Sequence, residues 1–124
     1  MIKMSKQLVE VIINNDVKVT AQFEDNATTR ELISRMPFTI SMDNLYAPRE
    51  MCHRYGRGGL PTDDARDRSY KVGDISYWPP MGSLVILYKQ NGEIFEQQPI
   101  GHIDSDVSFF SKLGSADVTF RLKA

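Results

Sequence analysis

Apolar and polar residues alternate near the start of the chain in a way that predicts two paired strands. Residues 8–13 form a β-rich run, and residues 17–23 alternate apolar with polar side chains. Asn14-Asn15-Asp16 lies between them and is typical of a turn. The pattern therefore predicts a β-hairpin with one buried face and one solvated face.

A short helix is predicted to follow this hairpin. Thr28 and Glu31 have the spacing of a capping box, and Pro37 would end the segment. Three apolar residues would then share one helical side: Leu32, Ile33 and Met36. Residues 38–42 alternate again and predict a third strand.

The middle of the chain changes in composition. Residues 43–71 are rich in Gly, Pro, Asp and Arg, and only residues 51–55 look like a short strand. We expect mostly loop here, and loops of this length in a small domain are often functional. The charged side chains of this segment predict a solvated loop that carries both positive and negative charges. The alternative is a binding site for an anion or a carboxylate. Its arginines are Arg49, Arg54, Arg57, Arg66 and Arg68.

Strand patterns return in the second half. Residues 75–78 and 84–88 flank a Pro-Pro-Met-Gly corner that follows the only tryptophan, Trp78. Asn91-Gly92 is a turn signal, and Ile94 with Phe95 begins another pair.

The end of the chain predicts a second short helix and a last strand. Asp104-Ser105-Asp106 can cap a helix that contains Val107, Phe110 and Leu113. The final strand is predicted over residues 116–122. Several short strands with two short helices favour one mainly β domain over residues 1–124. We expect a closed barrel, since closure removes exposed strand edges.

Charge and hydropathy exclude some functions. Fifteen Lys and Arg against sixteen Asp and Glu give a net charge of −1, so no basic face for nucleic acid is expected. No apolar run approaches the roughly 20 residues that span a bilayer, and residues 1–7 lack a signal-peptide core. The single cysteine, Cys52, cannot form an internal disulfide. The sequence therefore predicts a cytoplasmic protein.

No metal or cofactor is expected. His53 and His102 are the only histidines, and neither has partners at metal-ligand spacing on a predicted element. Cys52 is expected to be a buried thiol rather than a nucleophile.

The order of several short motifs resembles the small bacterial cyclophilin-like domain family over nearly the whole chain. The motifs are Glu50, Leu60-Pro61-Thr62, Gly73 to Tyr77, Leu84 to Tyr88 and Ile100 to Ser105. The resemblance implies a small β-barrel of the cyclophilin type with helices closing its ends. That family as a whole has no settled activity.

The prolyl isomerase activity of true cyclophilins is one alternative. Cys52-His53-Arg54 resembles their Phe-His-Arg segment, which makes Arg54 the catalytic candidate, and Gly82 to Ile86 resembles their Gly-Ser-Gln-Phe-Phe strand. The chain departs from that pattern, because Cys52, Leu84 and Val85 replace a Phe, a Gln and a Phe. The resemblance thus implies weak or residual activity. A different activity using Glu50 with His53 is also open.

The preferred prediction is a binding module for a small molecule or an extended peptide. Its site would be a cleft between the 46–60 loop and the 77–81 corner, with an apolar wall and a few polar groups. The predicted ligand-binding residues are Tyr46, Glu50, Tyr55, Tyr77, Trp78 and Met81. Adjacent Phe109 and Phe110 cannot share one narrow helical face, so both a monomer and a homodimer remain open.

Overall fold

The computed structural model describes residues 7–46 and 49–123, with the backbone only at residues 45 and 46. Within these residues the strands are β1 Gln7–Ile13, β2 Val17–Phe23, β3 Phe38–Tyr46, β4 Glu50–Arg54, β5 Arg66–Arg68, β6 Asp74–Trp78, β7 Ser83–Leu87, β8 Phe95–Ile103 and β9 Ser115–Leu122. The helix α1 spans Ala27–Ser34, and a 3-10 helix spans Ser108–Lys112.

The strands form a closed antiparallel barrel. Their order is β2-β1-β9-β3-β4-β7-β6-β8, and pairing between β2 and β8 closes the ring. The short strand β5 pairs with residues 95–97 at the start of β8. The predicted mainly β barrel is confirmed.

The prediction of two short helices is only half right. Within the described residues, α1 is the one α-helix, and the second predicted helix is a 3-10 turn. Its bonds run from Phe110 N to Val107 O at 3.2 Å and from Leu113 N to Phe110 O at 3.1 Å. Leu113 already has an extended backbone, so the segment ends before an α-turn forms.

The helix α1 begins with a different capping box from the predicted one. The Asn26 side chain accepts from Thr29 N at 2.9 Å, and Asn26 N donates to Thr29 Oγ1 at 3.0 Å. Thr28 instead donates to Pro61 O at 2.5 Å, and Glu31 pairs with Arg35. The predicted pair Thr28 and Glu31 was wrong because the spacing of a capping box is short and recurs by chance.

The predicted hairpin is confirmed, and its turn explains the sequence. Asn14 and Asn15 both adopt positive φ, of 53° and 56°, which asparagine tolerates better than most residues. β1 and β2 then pair from Gln7 opposite Phe23 to Ile13 opposite Val17.

Two apolar clusters hold the fold. The larger fills the barrel, and its bulkiest fully buried side chains are Tyr77, Phe23, Phe110 and Phe120. A smaller outer cluster lies against the outside of β4 and β7 and contains Cys52, Tyr70, Val85, Leu87 and Phe95. Every residue of β7 is therefore buried, and this agrees with its continuous apolar sequence.

Candidate functional site

A pocket of about 160 Å³ lies at the edge of the outer cluster, and we call it the Trp78 pocket. It is lined by Arg49, Glu50, Trp78, Glu93 and Phe95. The outer cluster holds the Phe95 side of this pocket in place, because Tyr70 packs edge-on against Phe95 with ring centroids 5.9 Å apart. The Tyr70 hydroxyl also donates to Lys89 O at 2.7 Å, which holds the ring in place.

Arg49 is the polar centre of this pocket. Its Nε donates to Glu50 Oε1 at 2.7 Å, and its Nη1 pairs with the carboxylate of Glu93. The guanidinium carbon lies 4.8 Å from the centroid of the Phe95 ring, which places the cation over the aromatic face. The guanidinium of Arg49 thus forms ion pairs with two carboxylates and a cation–π contact with one aromatic ring.

Glu50 is a buried acid on the wall of the pocket. Its side chain is 4% exposed, and it opens β4 opposite Leu87 of β7. Burial raises the pKa of the Glu50 carboxyl because desolvation penalises the charged form, and the adjacent Arg49 opposes this rise. A carboxyl group with a raised pKa in a pocket is a common feature of functional sites.

Trp78 ends β6 and is half-buried. It lies opposite Ser83 of β7, which lies opposite Arg54 of β4, so these three residues form one cross-strand row. The chain then turns at Gly82, whose N–H donates to Pro79 O at 3.1 Å. The only tryptophan is thus carried on a short, hydrogen-bonded corner.

This corner packs directly on the middle loop. Gly82 O accepts from Tyr55 N at 2.7 Å and from Gly56 N at 3.2 Å. A Cβ added to Gly82 would lie 1.9 Å from Gly56 O, so only glycine fits there. The Tyr77 hydroxyl donates to the same Gly56 O at 2.9 Å, from a ring that is completely buried in the barrel.

The other predicted ligand-binding residues lie in different places. Glu50 and Trp78 line the same pocket, whereas Tyr55, Tyr77 and Met81 do not line it. Tyr55 is half-buried and packs against His53 at 4.7 Å, and Met81 is 38% exposed. Tyr46 ends β3, and its side chain lies outside the described residues.

The candidate catalytic residues are not assembled into one site. Arg54 is exposed, and it lines neither the Trp78 pocket nor the larger cavity described below. Glu50 and His53 are three residues apart on β4 and so belong to opposite faces of the sheet. His53 Nδ1 lies 2.8 Å from Ser41 O on the neighbouring strand.

Cys52 is buried beneath the outer cluster. Its exposed fraction is 4%, and burial raises the pKa of its thiol, which disfavours the nucleophilic thiolate. The environment of Cys52 is that of a buried structural thiol.

A second cavity, of about 380 Å³, was missed by the sequence reasoning. We call it the His102 cavity, because His102 and Asp74 form a hydrogen-bonded pair on its wall. The two residues are 28 positions apart, and only the pairing of β6 with β8 brings them together. Their positions within two of the recognised motifs were the available signal.

The described residues contain no group of three or more His, Cys, Asp or Glu side chains arranged to hold a metal ion. Within the same residues, no helix is both long and apolar enough to cross a membrane.

Within the described residues the fold is a closed eight-stranded antiparallel barrel with one α-helix, which agrees with a cyclophilin-like class of β-barrel. The profile described as "Cyclophilin-like family" matches residues 12–123. The chain therefore belongs to the Cyclophilin-like family.

The fold is similar to that of a solved structure. It is the solution structure of a hypothetical protein from Archaeoglobus fulgidus, with a TM-score of 0.64 and 12% sequence identity. The alignment covers 99% of this chain and 100% of that protein. No curated protein sequence matches the chain significantly. At this identity the structural neighbour shows a shared fold and nothing about a shared ligand.

Proposed function

We propose that this cyclophilin-like domain is a binding module that takes the cationic end of a small molecule or extended peptide in the Trp78 pocket. The observation that carries the proposal is the charge balance of the wall. Two carboxylates, Glu50 and Glu93, face a single guanidinium, Arg49. With both carboxylates ionised, the pocket keeps one uncompensated negative charge, which favours an organic cation.

The aromatic residues support the same ligand class. Phe95 is already covered by Arg49, whereas the half-buried Trp78 also lines the pocket and stacks with no ring or cation among the described residues. A ligand cation over a tryptophan face gains about 0.5–2 kcal/mol, and tryptophan is the best ring for this contact. Trp78 and Glu93 can therefore act together on an ammonium or guanidinium group.

The size of the pocket limits what enters it. A volume of about 160 Å³ is below the roughly 300–1,000 Å³ of pockets that enclose a drug-sized ligand. Only the end of a ligand fits, so the remainder of a small molecule or a peptide chain would lie along the adjacent surface.

A fluorescence titration tests the proposal directly, because Trp78 is the only tryptophan. We would add n-butylammonium, n-butanol and butyrate separately, at matched ionic strength, with N-acetyltryptophanamide as the control for collisional quenching. The expected result is a saturable change with n-butylammonium alone, with a Kd on the order of 1 mM for so small a probe. A saturable response to n-butanol of equal strength, or a linear response to all three probes, would refute a cation site.

The prolyl isomerase alternative has less support. Arg54 has an exposed side chain and, among the described residues, makes no hydrogen bond or ion pair that would orient it. Leu84, which occupies the place of the cyclophilin Gln, is 1% exposed and packs in the barrel core. It supplies neither an amide nor access to a substrate.

A further inference from the structure

The His102 cavity lies outside the barrel, where β2, β6 and β8 meet. It shares no lining residue with the Trp78 pocket, and polar side chains dominate its wall. Its charged and imidazole side chains are those of Glu24, Arg68, Lys71, Asp74, His102 and Asp104.

Asp74 fixes the orientation of His102. Asp74 Oδ1 lies 2.8 Å from His102 Nδ1, while Oδ2 accepts from the backbone N–H of Lys71 at 2.9 Å. Because the carboxylate is held at both oxygens, it is an acceptor for Nδ1–H, and we assign that tautomer to the neutral imidazole. Nε2 then faces Asp104, whose Oδ1 lies 3.3 Å away, and is not free for a ligand.

The close approach of the two residues depends on Gly73. This residue has a φ of +101°, and an added Cβ would lie 2.2 Å from Ile103 O and 3.1 Å from His102 Cε1. The backbone of Ile103 donates to Gly73 O at 2.8 Å. The chain before Asp74 therefore runs against β8 in a way that only glycine permits.

Some charged side chains on the cavity wall have hydrogen-bonding or ionic partners, and others have none among the described residues. His102 Nε2 lies 3.3 Å from Asp104, and Gln22 donates to the same carboxylate at 3.3 Å. In contrast, Glu24, Arg68 and Lys71 form no ion pair in the described part of the chain, so the wall carries unpaired groups of both signs. Arg68 is half-buried, which lowers the cost of ordering its side chain on a ligand.

We propose that the His102 cavity is a second binding site, for a small hydroxylated anion such as a sugar acid or a sugar phosphate. Arg68 and Lys71 receive the carboxylate or phosphate, for which the planar fork of arginine has matching geometry. Glu24 and Asp104 lie on the same wall, and their carboxylates accept hydrogen bonds from the ligand hydroxyls. This site is independent of the cation site proposed for the Trp78 pocket.

NMR titration of the full chain tests this proposal through the imidazole signals of His102. The probes are D-gluconate, glucose 6-phosphate and uncharged glucose, with sodium chloride matching the ionic strength. We expect saturable shifts with the two anions and none with glucose. The anion that binds with the lower Kd shows whether the site prefers a carboxylate or a phosphate. Shifts that glucose reproduces, or shifts equal to those of chloride alone, would overturn the proposal.

Two arginines of β5 supply a matched pair of variants. Arg68 lines the cavity, whereas Arg66 is exposed on the same strand and does not line it. Arg68→Gln should weaken gluconate binding by about tenfold, because a charge-assisted hydrogen bond is lost. Arg66→Gln should leave the affinity unchanged. If both variants lose the same affinity for gluconate, the effect comes from general surface charge, and the proposed site is wrong.

Discussion

The guanidinium of Arg49 donates to the carboxylate of its own chain neighbour, Glu50, at 2.7 Å, although the Glu50 side chain is only 4% exposed. Arg49 precedes β4 and Glu50 begins it, so the arginine folds back over the start of the strand. The Arg49 side chain itself is 15% exposed and covers Phe95. One residue thus neutralises a buried acid and forms the floor of the Trp78 pocket.

Arg49→Met should strongly destabilise the protein. The substitution leaves Glu50 buried without its cation, and breaking such a pair from one side costs about 3–5 kcal/mol. Urea denaturation at neutral pH measures the loss. Arg35→Met is the control, since Arg35 forms an exposed pair with Glu31 on α1 and should cost about 0.5 kcal/mol or less. Equal losses would show that the Glu50 pair is not a buried one.

Glu50 should also give the stability a distinct pH dependence. Its pKa is raised in the folded state above the ordinary value of 4.5, so the folded protein binds this proton more tightly than the unfolded chain. The contribution of Glu50 is fully present below the unfolded pKa and is lost as pH rises through the folded pKa. Glu50→Gln should therefore gain stability relative to wild type as pH rises above about 4.5. Urea denaturation at a series of pH values measures the free energy of unfolding of both proteins. A difference between them that does not change with pH would contradict the raised pKa.

Two glycines allow backbone strain to be separated from steric clash. Gly82 and Gly92 both have positive φ, of 66° and 81°, but only Gly82 lies against another backbone segment. Gly92→Ala should cost about 1–2 kcal/mol, which is the strain of a left-handed conformation. Gly82→Ala should cost clearly more in thermal or urea denaturation, because Gly56 must move. Equal costs would mean that the 77–82 corner is not packed as the structure has it.

Prolyl isomerisation should not depend on Arg54. A protease-coupled peptide assay compares wild type with Arg54→Ala at equal concentration, and we expect no acceleration that the substitution removes. The reason is that Arg54 is exposed and lines neither the Trp78 pocket nor the His102 cavity, so neither of these holds a peptide against its guanidinium to stabilise a twisted amide. Acceleration by wild type that is lost in Arg54→Ala would establish the enzyme instead.

Much of the barrel could be predicted from local patterns. The alternation in residues 17–23 and the turn at Asn14-Asn15 define a hairpin that the structure contains. β5 could not be predicted, because Arg66, Asp67 and Arg68 have no strand character of their own. Their extended form comes from pairing with the start of β8, a tertiary interaction that local sequence does not encode.

The candidate sites depend even more on tertiary pairing. Glu50 and Trp78 were predicted as members of one site, and the structure places both on the wall of one pocket. The role of Arg49 and Glu93 was not predictable, because these two residues are 44 positions apart and only the folded barrel brings them together. The Asp74 and His102 pair was missed for the same reason.

We propose that the acidic wall of the Trp78 pocket binds an organic cation. The most direct test is the Kd of n-butylammonium, measured by Trp78 fluorescence, in Glu93→Gln and Glu96→Gln. Glu93 lines the pocket, whereas Glu96 is an exposed glutamate three residues later that does not line it. Removing the Glu93 charge should weaken binding by about fivefold, the effect of one charge at about 4 Å in a water-like dielectric, while Glu96→Gln should bind as wild type does. Equal affinities in the two variants, or tighter binding by Glu93→Gln, would contradict the cation site.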